Sequence, residues 1–344
     1  MKVFLYLAAF LTFVVGGSLG APHIYTPIFP AKFSELPRKV TDRFDFGRFH
    51  SYDEILTYSK TLNETFAEFL NVEVIGQTFE NRPMILLKFG DLYNNSKPII
   101  FIDGGIHARE WISPATVLSY IHHIIAKNES FSEIFKIVNI FILPVVNPDG
   151  YEYSRTTSRM WRKNRSGPRG PFKKCYGVDL NRNFGFKWAV AGTSTNPCDS
   201  EIYHGSKPNS EPETLVLEKV LWKYRKQIKA YLTAHSYGGE ILYPWGYAKG
   251  VYPKDVEDLI KLGNKMKNAI KKHSGTEYKV MPSAGLYPAA GASDDYAKSL
   301  GIKYSYTIEI YSENHFLEKE ENIPIRSKEI KVAVDTVVQQ IVQE

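Results

Sequence analysis

From residue 98 onward, short apolar runs alternate with longer stretches of helical periodicity. This alternation constrains the fold of the 344-residue chain more than any other feature. The apolar runs are short enough for buried strands and occupy 98–102, 138–146, 230–234 and 303–310. Helical patterns are predicted at 114–126, 211–229, 253–273 and 325–342. Strands that alternate with helices predict an α/β domain with a mixed, mostly parallel, twisted central sheet and helices on both faces.

Upstream of residue 98 the sequence predicts a helix and a hairpin. Ser51 and Asp53 are candidate caps for a helix that runs to about Leu70. Residues 72–76 and 82–89, separated by polar residues, are typical of two hairpin strands. No linker or repeat interrupts the chain from Asp53 to its C-terminus, so we predict a single domain over residues 46–344.

The first twenty residues have the pattern of a secretory signal peptide. Met1-Lys2 supplies a positive charge, the stretch from Val3 to Val15 is almost wholly apolar, and small residues precede Ala21. The alternative, a membrane anchor, is disfavoured because the apolar run is short for a bilayer. We therefore predict a signal peptide over 1–20, a short N-terminal segment or propeptide over 21–45, and a secreted mature protein.

Composition excludes several classes of protein. Hydrophobic residues at 43% and charged residues at 23% are typical of a folded soluble chain rather than a disordered or multi-pass one. The net charge is only +6 and no long Lys/Arg run occurs, so we expect neither a nucleic-acid nor a membrane partner. In an oxidising compartment Cys175 and Cys198 are expected to form a disulfide.

Polar residues follow the predicted buried strands at positions far apart in the sequence. His107 and Glu110 come shortly after the first strand, His235 ends another, and Glu309 lies inside the last. Ligands of open α/β sheets bind at the carboxyl ends of the strands, so these side chains should meet at one edge. Two His and one Glu form the ligand set of a catalytic zinc that leaves one position for water. A surface turn explains His107 and Glu110 taken alone, and the combination favours a metal site.

Glu309 is unusual because it interrupts an otherwise apolar strand. Burying a carboxylate is costly unless it is paired or close to a metal. Facing the zinc, Glu309 could take a proton from the water and pass it to a leaving amine. The alternative is an edge-strand residue that points to solvent.

Seven segments, in order, resemble the zinc carboxypeptidases of the pancreatic A/B type. They are HAREWI at 107–112, PVVNPDGY at 144–151, MWRK at 160–163, GVDLNRNF at 177–184, HSY at 235–237, LYPAAG at 286–291 and TIE at 307–309. The resemblance extends from about Phe46 to the C-terminus. It implies a mixed-sheet α/β fold, one Zn²⁺ per chain, peptide or protein C-termini as substrates, a monomeric state, and removal of single C-terminal residues.

The resemblance also assigns roles to individual residues. His107, Glu110 and His235 would hold the metal, Glu309 would be the general base, and Arg162 would stabilise the oxyanion. The substrate-binding residues that it implies are Arg109 at the adjoining subsite, Asn181, Arg182 and Tyr287 at the terminal carboxylate, and Ser236 and Tyr237. Cys175 and Cys198 match the disulfide of the family.

The position of Asp294 separates members of this family that prefer basic C-terminal residues from those that prefer apolar ones. An aspartate at the floor of the pocket would pair with Lys or Arg and disfavour an apolar side chain. The resemblance to carboxypeptidase B is closest here, and Leu242 and Gly246 match the pocket walls. The alternative is that Asp294 only favours a helix N-terminus, a role that Asp295 can serve by itself.

Three departures from the family pattern affect detail rather than chemistry. Residues 21–45 stand where the family usually has a longer activation domain, Ala292 replaces a glycine, and Ile310-Tyr311-Ser312 follows the catalytic Glu. We predict a secreted, digestive zinc carboxypeptidase that prefers C-terminal Lys or Arg. The alternatives are the same chemistry with an aromatic or aliphatic preference, and a non-catalytic relative that binds peptide C-termini.

Overall fold

The computed structural model of the chain describes residues 44–91 and 96–344. The predicted signal peptide over 1–20 and all but the last two residues of the segment over 21–45 lie outside this range. Within it, none of the helices is long and apolar enough to cross a membrane.

Eight strands and nine α-helices make up the regular structure of the described residues. The strands are β1 Leu70–Gln77, β2 Pro83–Phe89, β3 Ile99–Gly104, β4 Asn139–Leu143, β5 Ile228–Ser236, β6 Glu240–Tyr243, β7 Lys279–Pro282 and β8 Tyr304–Ile310. The helices are α1 Tyr52–Thr65, α2 Ile112–Ala126, α3 Asn128–Phe135, α4 Pro148–Thr156, α5 Pro212–Tyr224, α6 Val256–Ser274, α7 Ser283–Leu286, α8 Ser293–Ser299 and α9 Ile323–Gln343.

The strands form one mixed sheet in the order β1-β2-β4-β3-β5-β8-β6-β7. The central strands β4, β3, β5 and β8 are mutually parallel, and β6 and β7 form a further parallel pair. The pairs β1/β2, β2/β4 and β6/β8 are antiparallel. The carboxyl ends of the four central strands therefore lie along one edge of the sheet, as the sequence predicts.

Both faces of the central strands are buried. Phe101 and Tyr231 belong to one apolar cluster together with Leu217 and Leu221 of α5. Ile100 and Ile102 point to the opposite face, because strand side chains alternate, and they are buried as well. This near-continuous burial is typical of parallel strands with helices on both sides. The predicted α/β class is confirmed.

Several predicted boundaries are wrong. The helix that starts at Ser51 ends at Thr65 instead of Leu70, and Asp53 lies in its first turn while Ser51 caps it in a capping box with Glu54. The helix predicted over 211–229 ends at Tyr224, because the chain turns there and β5 begins at Ile228. The strand predicted to reach residue 146 ends at Leu143. Strands β6 and β7 and helices α3 and α4 were not predicted at all.

Candidate metal centre and substrate cleft

Three buried side chains converge at the carboxyl edge of the central strands. His107 and Glu110 lie in the turn between β3 and α2, and His235 is the penultimate residue of β5. The two carboxylate oxygens of Glu110 lie 2.7 Å from Nδ1 of His107 and 3.2 Å from Nδ1 of His235. One potential ligand atom from each residue lies within 4.8 Å of the others. The structure thus brings together the three residues that the sequence predicts as metal ligands.

The surroundings of these residues fit a divalent metal. Two imidazoles and one carboxylate are the donor set of catalytic zinc sites. The second ring nitrogen of His107 lies 3.2 Å from Oδ1 of Asp179, the kind of contact that orients a ligating histidine. Nε2 of His235 is buried without a hydrogen-bond partner, and the backbone N–H of Ser236 donates to Glu110 over 3.1 Å. The donors are therefore already held close together.

Opposite charges stabilise this buried cluster. Burial acts against ionisation of Glu110, but the nearby His107 and His235 outweigh it and hold its pKa well below the usual range. Burial likewise acts to lower the pKa of His235, and the charge and hydrogen bond of Glu110 raise it to about 9. Glu110 is thus held in the ionised form, the one in which a carboxylate binds a metal.

Asp179 connects the metal cluster to Arg162. Oδ2 of this carboxylate accepts hydrogen bonds from Nη2 and Nε of Arg162 at 2.9 and 3.1 Å. Burial raises its pKa, but the charges of Arg162, Arg182 and His107 outweigh burial and hold it well below the usual range. The guanidinium of Arg162 is consequently fixed beside His107.

Glu309 lies at the same level of the sheet as His235. The two residues are register partners on the parallel strands β5 and β8, so their side chains point to the same face. Burial raises the pKa of Glu309 to about 8, against the opposing effects of His235 and Arg162 and with help from Glu110 and Glu240. A carboxyl group with a pKa near neutral pH can both accept and donate a proton. The alternative that Glu309 points to solvent from an edge strand is excluded, because β8 lies between β5 and β6.

Asn181, Arg182 and Tyr287 lie close together. Arg182 uses Nε and Nη1 for hydrogen bonds to the carbonyl oxygens of Gly192 and Asn181, at 2.8 and 2.9 Å. Its guanidinium lies 5.9 Å from the ring centre of Tyr287, which is 49% exposed. The side-chain oxygen of Asn181 accepts from the backbone N–H of Ser293, at the start of α8. The arrangement leaves an exposed phenol beside an anchored guanidinium.

A second aromatic and cationic surface involves Tyr237 and Arg109. Tyr237 follows β5 directly, is 38% exposed and contacts the rings of His315 and Phe316. The guanidinium of Arg109 stacks on Phe316 at 4.1 Å and forms a two-pronged ion pair with Glu201. Arg109 is thus a buried and paired residue rather than a free surface charge.

Asp294 is buried in the first turn of α8, with 2% exposure. Its Oδ2 accepts a hydrogen bond from the Ser283 hydroxyl at 2.9 Å, and burial raises its pKa. The carboxylate of the neighbouring Asp295 accepts hydrogen bonds from the backbone N–H groups of Gly246 and Tyr247, at 2.8 and 3.0 Å. Asp295 is thus bound by the backbone at Gly246 and Tyr247, whereas no ion pair holds the carboxylate of Asp294 in the part of the chain that the structure describes.

The disulfide and two other histidines lie outside the proposed ligand set. Cys175 and Cys198 form the predicted disulfide. His204 is buried, and its Nδ1 lies 2.8 Å from the carbonyl oxygen of Gly205. His123 lies near Asp335 on the α2 surface.

Sequence reasoning missed Asp179 and Glu240 as site residues. Asp179 was visible only as part of a matching segment, since its contacts with His107 and Arg162 span 72 and 17 positions. Glu240 begins the short apolar run of β6, and it carried the same signal as Glu309: a carboxylate next to apolar strand residues.

Comparisons with known proteins agree with the geometry. The family model described as zinc carboxypeptidase, peptidase M14, matches residues 55–332. Carboxypeptidase B of Astacus astacus is 42% identical over 268 residues, which cover 77% of this chain and 87% of that protein. Carboxypeptidase A4 of Mus musculus is 40% identical over 277 residues, covering 79% of this chain and 65% of that one. The structure of bovine thrombin-activatable fibrinolysis inhibitor in complex with tick carboxypeptidase inhibitor superposes with a TM-score of 0.80 at 35% identity, covering 87% and 99% of the two chains.

Proposed function

Because the chain belongs to the zinc carboxypeptidase family and is a metallocarboxypeptidase, we propose that it removes single Lys or Arg residues from the C-termini of extracellular peptides. Relatives named as A-type and as B-type match at similar identity, so the preference rests on the pocket of this chain. The observation that carries it is the buried carboxylate of Asp294, whose one side-chain hydrogen-bond partner among the described residues is the neutral hydroxyl of Ser283.

We propose His107, Glu110 and His235 as the ligands of one Zn²⁺ per chain. The donor set and its buried, mutually close arrangement support this assignment. Bound there, the metal would polarise the scissile carbonyl and lower the pKa of a water molecule.

In the proposed mechanism Glu309 moves the protons. Its carboxylate accepts a proton from the attacking water and later donates it to the amine nitrogen of the departing residue. A pKa raised by burial suits both steps, because neither transfer is then strongly uphill near neutral pH. Arg162, held by Asp179, is positioned to stabilise the negative charge that develops on the carbonyl oxygen.

The end of the peptide is recognised by its carboxylate. We propose that Asn181, Arg182 and Tyr287 bind this group, with the planar guanidinium as the main charged partner. The bonds of Arg182 to backbone carbonyls hold Nε and Nη1, so its Nη2 edge is suited to the substrate. Recognition of a free carboxylate would restrict cleavage to the last residue of a chain.

The side chain of the last residue would enter the pocket between Leu242, Gly246 and Asp294. A Lys or Arg there gives Asp294 the counter-ion that it lacks, whereas an apolar side chain would leave a buried charge unpaired. Gly246 leaves space at one wall of the pocket, which a side chain would reduce: a Cβ at that position would lie 3.2 Å from Cβ of Ser283. On the other side of the scissile bond, Arg109, Ser236 and Tyr237 would contact the preceding residues.

We further propose that residues 1–20 are a signal peptide, that 21–45 form a short N-terminal segment, and that residues 46–344 act as a secreted monomer with a digestive role. The disulfide supports an oxidising compartment.

The test is kcat/KM of the purified protein on matched peptides ending in Arg and in Phe, with and without a zinc chelator. Chelator-sensitive release that favours Arg and returns on adding zinc is the expected result. Preference for Phe would leave the carboxypeptidase activity in place and reject the role of Asp294 in selecting the terminal residue. No release after zinc loading would reject the assigned chemistry.

A further inference from the structure

Four ionisable side chains form a row across neighbouring strands on one face of the sheet. Glu309 is the register partner of His235 on one side and of Glu240 on the other, and Glu240 is the register partner of Lys279. Directly opposed residues point to the same face, with Cβ atoms about 5 Å apart. Glu240 is therefore a second carboxylate beside the proposed general base.

One carboxylate oxygen of Glu240 lacks a hydrogen-bond partner among the described residues, although the charge of Lys279 acts on the group. The residue is only 8% exposed, and its Oε2 is buried without a hydrogen bond. Lys279, the cation at the neighbouring register position, is exposed and forms no ion pair with it in the described part of the chain. A buried carboxylate with an unsatisfied oxygen is costly, so its presence calls for a physical explanation.

The chain makes room for this carboxylate. Oε2 would lie 1.8 Å from a Cβ at Gly238, so any larger residue there would force the carboxylate of Glu240 to move. Gly238 directly follows Tyr237, whose partly exposed ring contacts His315 and Phe316. The carboxylate thus approaches the backbone of the residue that follows a 38% exposed aromatic side chain.

Glu240 lies on the side of Glu309 away from the pocket for the terminal residue. Leu242, a wall of that pocket, is opposite Thr307, one step along the same face from the Glu240/Glu309 pair. The side chain of Glu240 lies against Gly238, which directly follows Tyr237. A peptide whose last residue points toward Leu242 and whose scissile bond lies at Glu309 therefore brings its penultimate side chain to Glu240.

We propose that Glu240 selects substrates with Lys or Arg at the penultimate position, so that peptides ending in two basic residues are the preferred class. This inference rests on the proposed function, because it uses the binding direction assigned there. The aliphatic stem of the penultimate residue crosses the ring of Tyr237, and its cation meets the carboxylate of Glu240. The two arginines of the proposed substrate site already have carboxylate partners of their own, since Arg109 is paired with Glu201 and Arg162 with Asp179.

The test compares peptides that differ only at the penultimate position: Lys, the uncharged norleucine, and Glu. Each set is made twice, with a terminal Arg and with a terminal Phe. In the wild-type enzyme kcat/KM should favour Lys over norleucine by about tenfold to a hundredfold, as for a hydrogen bond between charged groups, and should be lowest for Glu. The E240Q variant, which keeps the shape and removes the charge, should reduce the Lys/norleucine ratio to within about threefold.

Asp294→Asn is the matched control, because it should change the terminal Arg/Phe ratio and leave the penultimate ratio intact. If the proposed terminal preference is wrong, only the comparison of the Arg set with the Phe set will show it. If this inference is wrong, the Lys/norleucine ratio within each set will show it. A wild-type Lys/norleucine ratio near one overturns the inference without any variant. A ratio that survives in E240Q overturns the assignment to Glu240.

Discussion

Replacing Asp294 with Asn tests the origin of the proposed preference for basic residues. The asparagine keeps the size of the side chain and an oxygen that can accept the hydrogen bond of Ser283, now 2.9 Å from Oδ2. It removes only the charge. Since the side chain is 2% exposed, water cannot replace the lost partner of a substrate cation.

The burial of Asp294 determines the expected magnitude. Removing one partner of a buried, hydrogen-bonded charge pair costs about 2 to 5 kcal/mol. At about 1.4 kcal/mol for each factor of ten, this corresponds to about 30-fold to a few thousand-fold in kcat/KM. We expect the effect to lie at the lower end, about 30-fold, because the variant still binds the terminal carboxylate through Arg182 and Tyr287.

The assay uses peptides that end in Arg or in citrulline, which has nearly the same shape as Arg but no charge. The wild-type Arg/citrulline ratio should be about 30 or more, and the D294N ratio should lie within about threefold of one. Ser283→Ala is the matched control, because it changes a neighbour of Asp294 and leaves the charge in place, so the ratio should persist. A D294N enzyme that still distinguishes Arg from citrulline as the wild type does would refute the reasoning.

Three other predictions address the chemistry and the stability of the chain. Glu309→Gln should lower kcat by about 10² to 10⁴-fold, because the proton carrier is lost, while zinc content stays at that of the wild type; turnover near the wild-type rate would exclude Glu309 as the general base. Replacing Cys175 and Cys198 by Ser, which opens a loop of 23 positions, should lower the free energy of unfolding in guanidinium by about 3 kcal/mol, and an unchanged value would contradict the loop-closure argument. Burial raises the pKa of Glu213 from 4.5 to about 7, so the folded chain holds an extra proton between these values and its free energy of unfolding falls as pH rises through this window. In urea unfolding, the free energy of unfolding of Glu213→Gln should fall less over this pH window than that of the wild type, by up to about 3 kcal/mol. Parallel pH profiles for the two proteins would show that Glu213 is not the source of the fall.

The sequence predicts the central strands and the candidate ligands for the same physical reason. Strands buried on both faces appear as continuous apolar runs, so a His or Glu at the end of such a run is conspicuous. His235 and Glu309 were identified in this way. The parallel order of β3, β5 and β8 then brings these residues together, although 74 positions separate His235 from Glu309 along the chain.

Short elements and long-range contacts could not be predicted in this way. Strands β6 and β7 have four residues each, too few for a periodic pattern to distinguish them from loops. Helix α4 was not predicted, although it starts with an Asn cap followed by Pro, a pattern that is typical of a helix start. The side-chain oxygen of Asn147 accepts a hydrogen bond from the backbone N–H of Gly150, and this contact is seen only in the folded chain.

Asp179 shows why residues of this site cannot be treated as independent groups. A single carboxylate contacts His107 with one oxygen and Arg162 with the other, so the position of the proposed metal ligand depends on that of the proposed oxyanion partner. Removing the guanidinium of Arg162 would leave a buried carboxylate with a lost partner, and His107 would shift with it. The loss of activity in Arg162→Ala would then combine a missing charge with a displaced ligand. Arg162→Lys keeps the charge but not the two-pronged bond, so comparing the zinc affinity of the two variants with their kcat separates positioning from electrostatic stabilisation.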